Sequence, residues 1–408
     1  MDNLTHSLIG AAVAEAAFQL RKKRESTVQR APLYSASILA NNFPDLDLLY
    51  RIFEPGNLTY LLNHRGWTHS FLFSIPQGTL ILFAFWLWQT WRGTRWSAAT
   101  WRALLAVTAL GLCLHLGLDF LNSYGIHPLS PFDNHWYFGD TIFIVEPWLW
   151  VFLIPLALLS LPRRTKGSAV VAALMVSVFC GGLCVGVRAG MVPLGLAVLI
   201  GGTGAGFFLV LQKAQAAVRP WIVIAALTSV IGVFRAGHDF AHAGLERAFH
   251  PGNSHLTLAD LVLSPLPGNP FCWTFFAVEK GAESYRVDTG VVDLMRTRCA
   301  RGLVLDGKKL DRSPCYFCSD LDIREYGGYA IKAAELVAQY KTHCRVRAWF
   351  QYARVPYREG TEYGDLRFAL KGSRNFSSYD SARNPPDECM SYPVPWLPPR
   401  SDFLEPSI

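Results

Sequence analysis

Phe71 to Trp91 reads FLFSIPQGTLILFAFWLWQTW, twenty-one residues without one charge. At 1.5 Å per helical residue this run covers a hydrocarbon layer of about 30 Å. The flanks supply further apolar runs: Ser168–Val187, Met191–Leu211 and the shorter Trp221–Phe234, which ends at Arg235. Trp148–Leu161 is short, and Ala103–Leu121 contains His115 and Asp119. Leu8–Leu20 and Leu33–Tyr50 are apolar but brief. The whole chain agrees: 408 residues, 51% hydrophobic, 13 Trp, mean hydropathy +0.21, and only 17% charged. Soluble domains carry about 25% charged residues. Collagen-like, coiled-coil and wholly disordered chains are excluded by this composition. Asp2 and His6 precede the first apolar run where a signal peptide would carry basic residues, so no cleavable signal is expected.

The net charge of +7 invites a nucleic-acid reading until the charges are placed. Arg21–Arg24, then Arg92, Arg95 and Arg102, then Arg163, Arg164 and Lys166, then Lys213 and Arg219 fill alternate connections. By the positive-inside rule these connections face the cytoplasm. Eight crossings satisfy the pattern, although Arg188 sits on the outer side. The basic excess is then a topology signal, and no nucleic-acid partner is expected. Residues 1–6, 45–70, 119–147, 188–190 and everything after about 237 fall on the outer face.

The expected fold is mainly α: a polytopic membrane bundle of about six to eight apolar helices, followed by a small α+β extramembrane domain. Residues 1–147 form a helical metal-site region, 148–237 transmembrane helices, 238–371 the extramembrane domain, and 372–408 a loosely ordered tail rich in Pro and Ser. Residues 273–293 read as strand, turn, strand, and 345–356 and 363–370 as further strands, with a helix near 329–341. Six of the nine Cys fall after residue 237, namely Cys272, Cys299, Cys315, Cys318, Cys344 and Cys389. Their even number on the outer face suits disulfides, with the pairing left open.

With so few ionisable residues, those at membrane depth are functional candidates. On the predicted outer face stand His6, Asp45, Asp47, His64, His69, His115 and Asp119, then His127, Asp133, His135, Asp140 and Glu146. Histidine with carboxylate is a ligand set for zinc, manganese or iron. His115 and Asp119 are spaced i,i+4 and share a helix face. Asp45 and Asp47 follow a turn at Asn42 and Pro44, and Gly66 lets His64 and His69 fold toward one ion. Seven candidate ligands exceed one tetrahedral zinc and favour a two-metal site. Taken singly, such a His is more often a core residue and such an Asp a cap. His238 and His242, at i,i+4 with Glu246 beyond, resemble a zinc-protease helix with Asp239 in place of the usual Glu.

The ordered motifs Met1-Asp-x-x-Thr-His6, Asn42-x-Pro-Asp45-x-Asp47, His64-Arg-Gly-x-Thr-His69-Ser and His115-x-x-x-Asp119 resemble the YdjM-like family of inner-membrane-associated metal-dependent hydrolases. The likeness runs on through Ser123-Tyr-Gly, Pro131-Phe, Asp140, Phe143-Ile and Glu146-Pro-Trp, with Glu146 standing where Asp is expected. It reaches Ser264–Trp273 and Asp365-Leu-Arg-Phe368 in the tail. A weaker similarity is to zinc-dependent phospholipase C and related nucleases. The family resemblance implies a multi-pass, metal-dependent hydrolase of the bacterial inner membrane; the weaker similarity, with the site's location, implies phosphoesters or lipid-linked phosphates as substrates, and the charge pattern puts site and C-terminal domain on the periplasmic face. One or two divalent ions, zinc or else manganese, would be held by the seven ligands. Asp140 or Glu146 would act as general base or orient ligands, and Arg65 would bind substrate phosphate or pair with an Asp. The alternative is a non-enzymatic metal-stabilised scaffold or sensor, and a third reading is a protease using His238 and His242.

Overall fold

The computed structural model describes residues 1–22, 28–53, 56–162, 165–249, 256–295, 299, 322–368, 374–383 and 394–404. The chain opens with α1 (Asn3–Lys22) and α2 (Arg30–Ala40), then a 3-10 turn (Pro44–Leu49), α3 (Tyr50–Phe53), α4 (Asn57–Asn63) and a second 3-10 turn (Trp67–His69). The long helices follow: α5 (Phe71–Trp91), α6 (Ala98–Phe120), α7 (Pro147–Ser160), α8 (Lys166–Arg188), α9 (Leu194–Lys213) and α10 (Arg219–Ala248). Among the described residues, α5, α6, α8, α9 and α10 are long and apolar enough to cross a membrane, and α7 is a shorter apolar helix. Side-chain oxygens start several of them: Ser70 Oγ accepts from Phe73 N, Ser97 Oγ from Thr100 N and Thr165 Oγ1 from Ser168 N. Helix α8 has no buried residue despite its apolar sequence. An apolar helix with no polar face and so little protein cover needs lipid around it.

Helix α6 is the central post, with more than half of its apolar window buried. Two glycines let its neighbours come close. A Cβ on Gly111 would stand 2.9 Å from Ala40 Cβ, and one on Gly10 would stand 2.7 Å from Ile38 Cα. Helices α1, α2 and α6 therefore meet nearly backbone to backbone, which brings their site-bearing ends together.

After α10 comes a four-stranded antiparallel meander, β1 (Thr257–Leu266), β2 (Asn269–Lys280), β3 (Ser284–Asp293) and β4 (Asp322–Lys332), paired in chain order. Strand β2 shows how the sheet is held. Trp273, Phe275 and Ala277 pack into the core formed with α7 and α10. Phe276 and Val278 point into the core of the C-terminal domain. The sheet is thus a middle layer, apolar on both faces. Beyond it lie α11 (Ala333–Thr342), α12 (Cys344–Phe350), the small sheet β5 (Pro356–Glu359), β6 (Glu362–Asp365) and β7 (Tyr379–Asp380), and α13 (Ser401–Leu404).

Several boundaries differ from those read in the sequence. Helix α10 continues through 238–248, because Gly237 and His238 pack against Pro270 and Trp273 of the sheet and the helix runs on beside it. The strand expected at 345–356 begins as α12: Val346, Trp349 and Phe350 are spaced i,i+3,i+4 and all are buried. Nor is the tail loose where it is described, since Trp396, Phe403 and Leu404 are buried in the domain core. Cys272 and Cys299 form a disulfide, and Cys344 is disulfide-bonded as well. Cys315, Cys318 and Cys389 lie outside the described residues.

Candidate metal centre

One end of the helical bundle gathers the polar residues. His6 comes from the first turn of α1, Asp45 and Asp47 from the turn after α2, His69 from the turn before α5, and His115 and Asp119 from the last turns of α6. His69 Nε2 and His115 Nε2 stand 3.0 Å apart. Asp119 Oδ2 lies 3.2 Å from His69 Nε2 and 3.5 Å from His115 Nε2. Asp45 Oδ1 lies 3.4 and 3.7 Å from the same two nitrogens. All four residues are buried. Ligands about 2.0–2.1 Å from a tetrahedral zinc stand roughly 3.3 Å from one another, so the spacing suits one small divalent ion.

The surrounding hydrogen bonds favour the ligating form of each imidazole. His115 Nδ1 donates to the Asn41 carbonyl at 2.7 Å, which leaves the Nε2 lone pair facing the cluster. His69 Nδ1 lies 2.9 Å from Thr68 Oγ1, and that hydroxyl donates to Asp47 Oδ2 at 2.8 Å. Asp47 Oδ2 also accepts from Arg65 N, and Asp47 Oδ1 pairs with His64 Nδ1 at 2.9 Å. Asp119 Oδ1 accepts from Arg65 Nη2 at 3.0 Å, while its Oδ2 is buried without a hydrogen-bond partner. A buried carboxylate oxygen facing two imidazole lone pairs is costly unless a cation shares the space.

Charge points the same way. Asp45, Asp47 and Asp119 face two cationic groups, the Arg65 guanidinium and the Met1 ammonium that pairs with Asp119, which leaves net negative charge suited to a cation. Burial pushes the Asp45 carboxyl up, but hydrogen bonding to His69 and the facing imidazoles hold it at about 2. Burial opposes protonation of His69, yet bonds to Asp119, Asp45 and Asp47 raise its affinity for a proton well above the ordinary value. Those carboxylates would favour a metal ion in the proton's place.

The seven expected ligands divide into roles. Asp45, His69, His115 and Asp119 form the compact group, and Asp45, Asp47 and His64 form a second group that shares Asp45. His6 stacks on His115 at a ring separation of 4.0 Å, with Nε2 3.3 Å from Asp119 Oδ1, and stands beside the compact group. Arg65, held at φ 61°, pairs with Asp119, donates to Asn122 Oδ1 and lies over the Tyr124 ring, the contacts expected of its ion-pair reading. Asp140 accepts from Arg354 of the C-terminal domain at 2.8 Å, and burial raises its carboxyl despite that partner. Glu146 caps α7 through Trp148 N and accepts from Gly268 N; burial lifts it to about 8 against those two bonds. Both carboxylates therefore serve the seam between bundle and domain. His127 is stacked between Trp136 and Trp396, each 3.9 Å away, and Asp133 pairs with exposed His135. His238 bonds Asp239 and faces Trp273, and it joins no metal-ligating group with His242 among the described residues. Thr68, Asn41 and Asn122 escaped the sequence reading. Thr68 lies inside the His64–Ser70 motif, and Asn122 three residues after Asp119, but neither position alone signals a partner.

The C-terminal domain closes over this end of the bundle. Trp396 Nε1 donates to the Leu62 carbonyl, Arg367 Nη1 to Ser123 O, and Trp136 Nε1 to Gln351 O.

The family model YdjM inner membrane protein matches residues 1–191, the part of the chain that contributes every residue of the cluster. The uncharacterized protein YfhP of Bacillus subtilis (strain 168) is 24% identical over 151 residues, or 37% of this chain. The match spans 43% of that relative's length. No solved structure matches the chain.

Proposed function

We propose that this chain is a multi-pass inner-membrane metal-dependent hydrolase of phosphoesters or lipid-linked phosphates. The observation that carries the reading is the pair of His/Asp groups that share Asp45 at one buried end of the bundle. A shared carboxylate is what a two-ion site requires, and such a site clamps both attacking and leaving oxygens. Asp45, His69, His115 and Asp119 would hold the first ion, and Asp47 with His64 would extend the site to a second. A divalent ion there, zinc or manganese, would lower the pKa of a bound water and offer positive charge to phosphoryl oxygens. Asp47 and the Asn41 carbonyl keep His69 and His115 in their ligating tautomers. Arg65 fixes Asp119. The site and the C-terminal domain share one side of the membrane, and the Cys272–Cys299 disulfide supports the periplasmic face, where disulfides persist.

A second reading, a metal-stabilised scaffold, draws on the count of four buried protein donors, enough to saturate a tetrahedral ion. Detergent-purified protein loaded with Zn²⁺ or Mn²⁺ and screened on phosphomonoesters, phosphodiesters and lipid phosphates separates the two. Turnover that disappears in Asp45→Asn supports hydrolysis; full metal loading with no turnover on any of these supports the scaffold.

A further inference from the structure

The segment that delivers Asp45 and Asp47 to the cluster is built inside out. Its carboxylates point inward, while Leu46, Leu49, Tyr50 and Phe53, spaced i, i+3, i+4, i+7, are exposed. Ile52 and Phe53 are 72% and 79% exposed. At the same end of the bundle, where His127 Nδ1 lies 3.3 Å from the Arg65 carbonyl, the 127–135 loop presents Leu129 and Phe132, the latter 85% exposed. That loop is tied to the start of α5, since Phe71 N donates to the Pro128 carbonyl at 3.0 Å.

The level of this apolar surface relative to a bilayer follows from α5. Its 21 residues span roughly 31 Å at 1.5 Å each, which is the hydrocarbon thickness, so Phe71 sits at the membrane boundary. His69 lies two residues before it, and the Pro44–Leu49 turn packs against the turn that carries His69. The exposed stripe thus lies at the same level as the first turn of α5, where Phe71, Leu72 and Ile75 are also exposed. Arg51 stands in the stripe with its guanidinium over the Tyr60 ring, suited to lipid phosphate at the interface.

We infer that residues 46–53 with Leu129 and Phe132 form a wedge seated in the interfacial layer of the bilayer. Resting on the hydrolase reading, the wedge sets the substrate class as a membrane amphiphile that reaches the metal centre from the lipid. A soluble phosphoester would not need this surface.

The full chain carrying Phe53→p-benzoylphenylalanine, and separately Phe132→p-benzoylphenylalanine, is reconstituted in phosphatidylglycerol/phosphatidylethanolamine nanodiscs and irradiated. Lipid adducts at both positions, read by mass spectrometry, are expected. Crosslinks to a second copy of the chain, or no adduct with lipid, would overturn the wedge. Both side chains are exposed, so the fold should tolerate the change, and unaltered metal content verifies it. The readout needs no turnover, so loss of the wedge and loss of the hydrolase reading register separately.

Discussion

His69 lies among three carboxylates, and each contact has a different consequence. Asp45 and Asp119 face its Nε2, whereas Asp47 takes the other side of the ring. Outer carboxylates that orient a ligating His are worth 10–100-fold in metal affinity. For the ion that His69 would hold, Asp47→Asn should accordingly weaken binding 10–100-fold, yet that position should still fill in excess metal, as titration with a competing chelator would show. Glu146 yields a prediction about pH. Its folded value of about 8 lies above the ordinary 4.5. The native state thus holds this proton more tightly than the unfolded chain, and the stability so gained is complete below about 4.5 and lost as pH rises to about 8. Thermal melts of the wild type should fall across that window, and Glu146→Gln should flatten the fall; an unchanged slope would refute the assignment. The clustered His and Asp residues were legible because an apolar chain offers few ionisable residues to explain. The bonds of Arg65 to Asn122 and of Thr68 to Asp47 were not legible, because both partners are set by the fold.

Elements meet at a seam of buried charge. Arg354 bridges Asp140 of the bundle and Asp260 of β1, with its guanidinium 4.0 Å from the Phe138 ring centroid. Removing one partner of a buried ion pair leaves an uncompensated charge and costs about 3–5 kcal/mol. Arg354→Ala should therefore lower the unfolding temperature and expose the C-terminal domain to limited proteolysis while the bundle stays intact. The apolar helices were readable from length and charge, since lipid imposes both. The seam was not. Arg354 and Asp140 are 214 residues apart, and nothing local in either segment announces the other. The α12 segment RVRAWF (345–350) alternates well enough to read as a strand, and only its packing decides for a helix.

At the scale of the molecule, three layers stack on one axis: membrane helices, the β1–β4 sheet, and the C-terminal domain whose Trp396 reaches back to Leu62. The cluster sits where bundle and domain meet, so an ion there would stabilise the native state alone. At metal concentrations 100 times Kd that linkage is worth about 2.7 kcal/mol, and a chelator should lower the unfolding temperature of the whole chain. Stability indifferent to chelation would argue against a bound ion. Whether His69, His115, Asp45 and Asp119 hold a divalent metal is read from the metal content of detergent-purified wild type beside His115→Ala and Asp119→Asn, with circular dichroism to establish that the helices persist. At least one ion per wild-type chain and nearly none in either variant are expected. Equal metal in all three would contradict a metal centre at these residues.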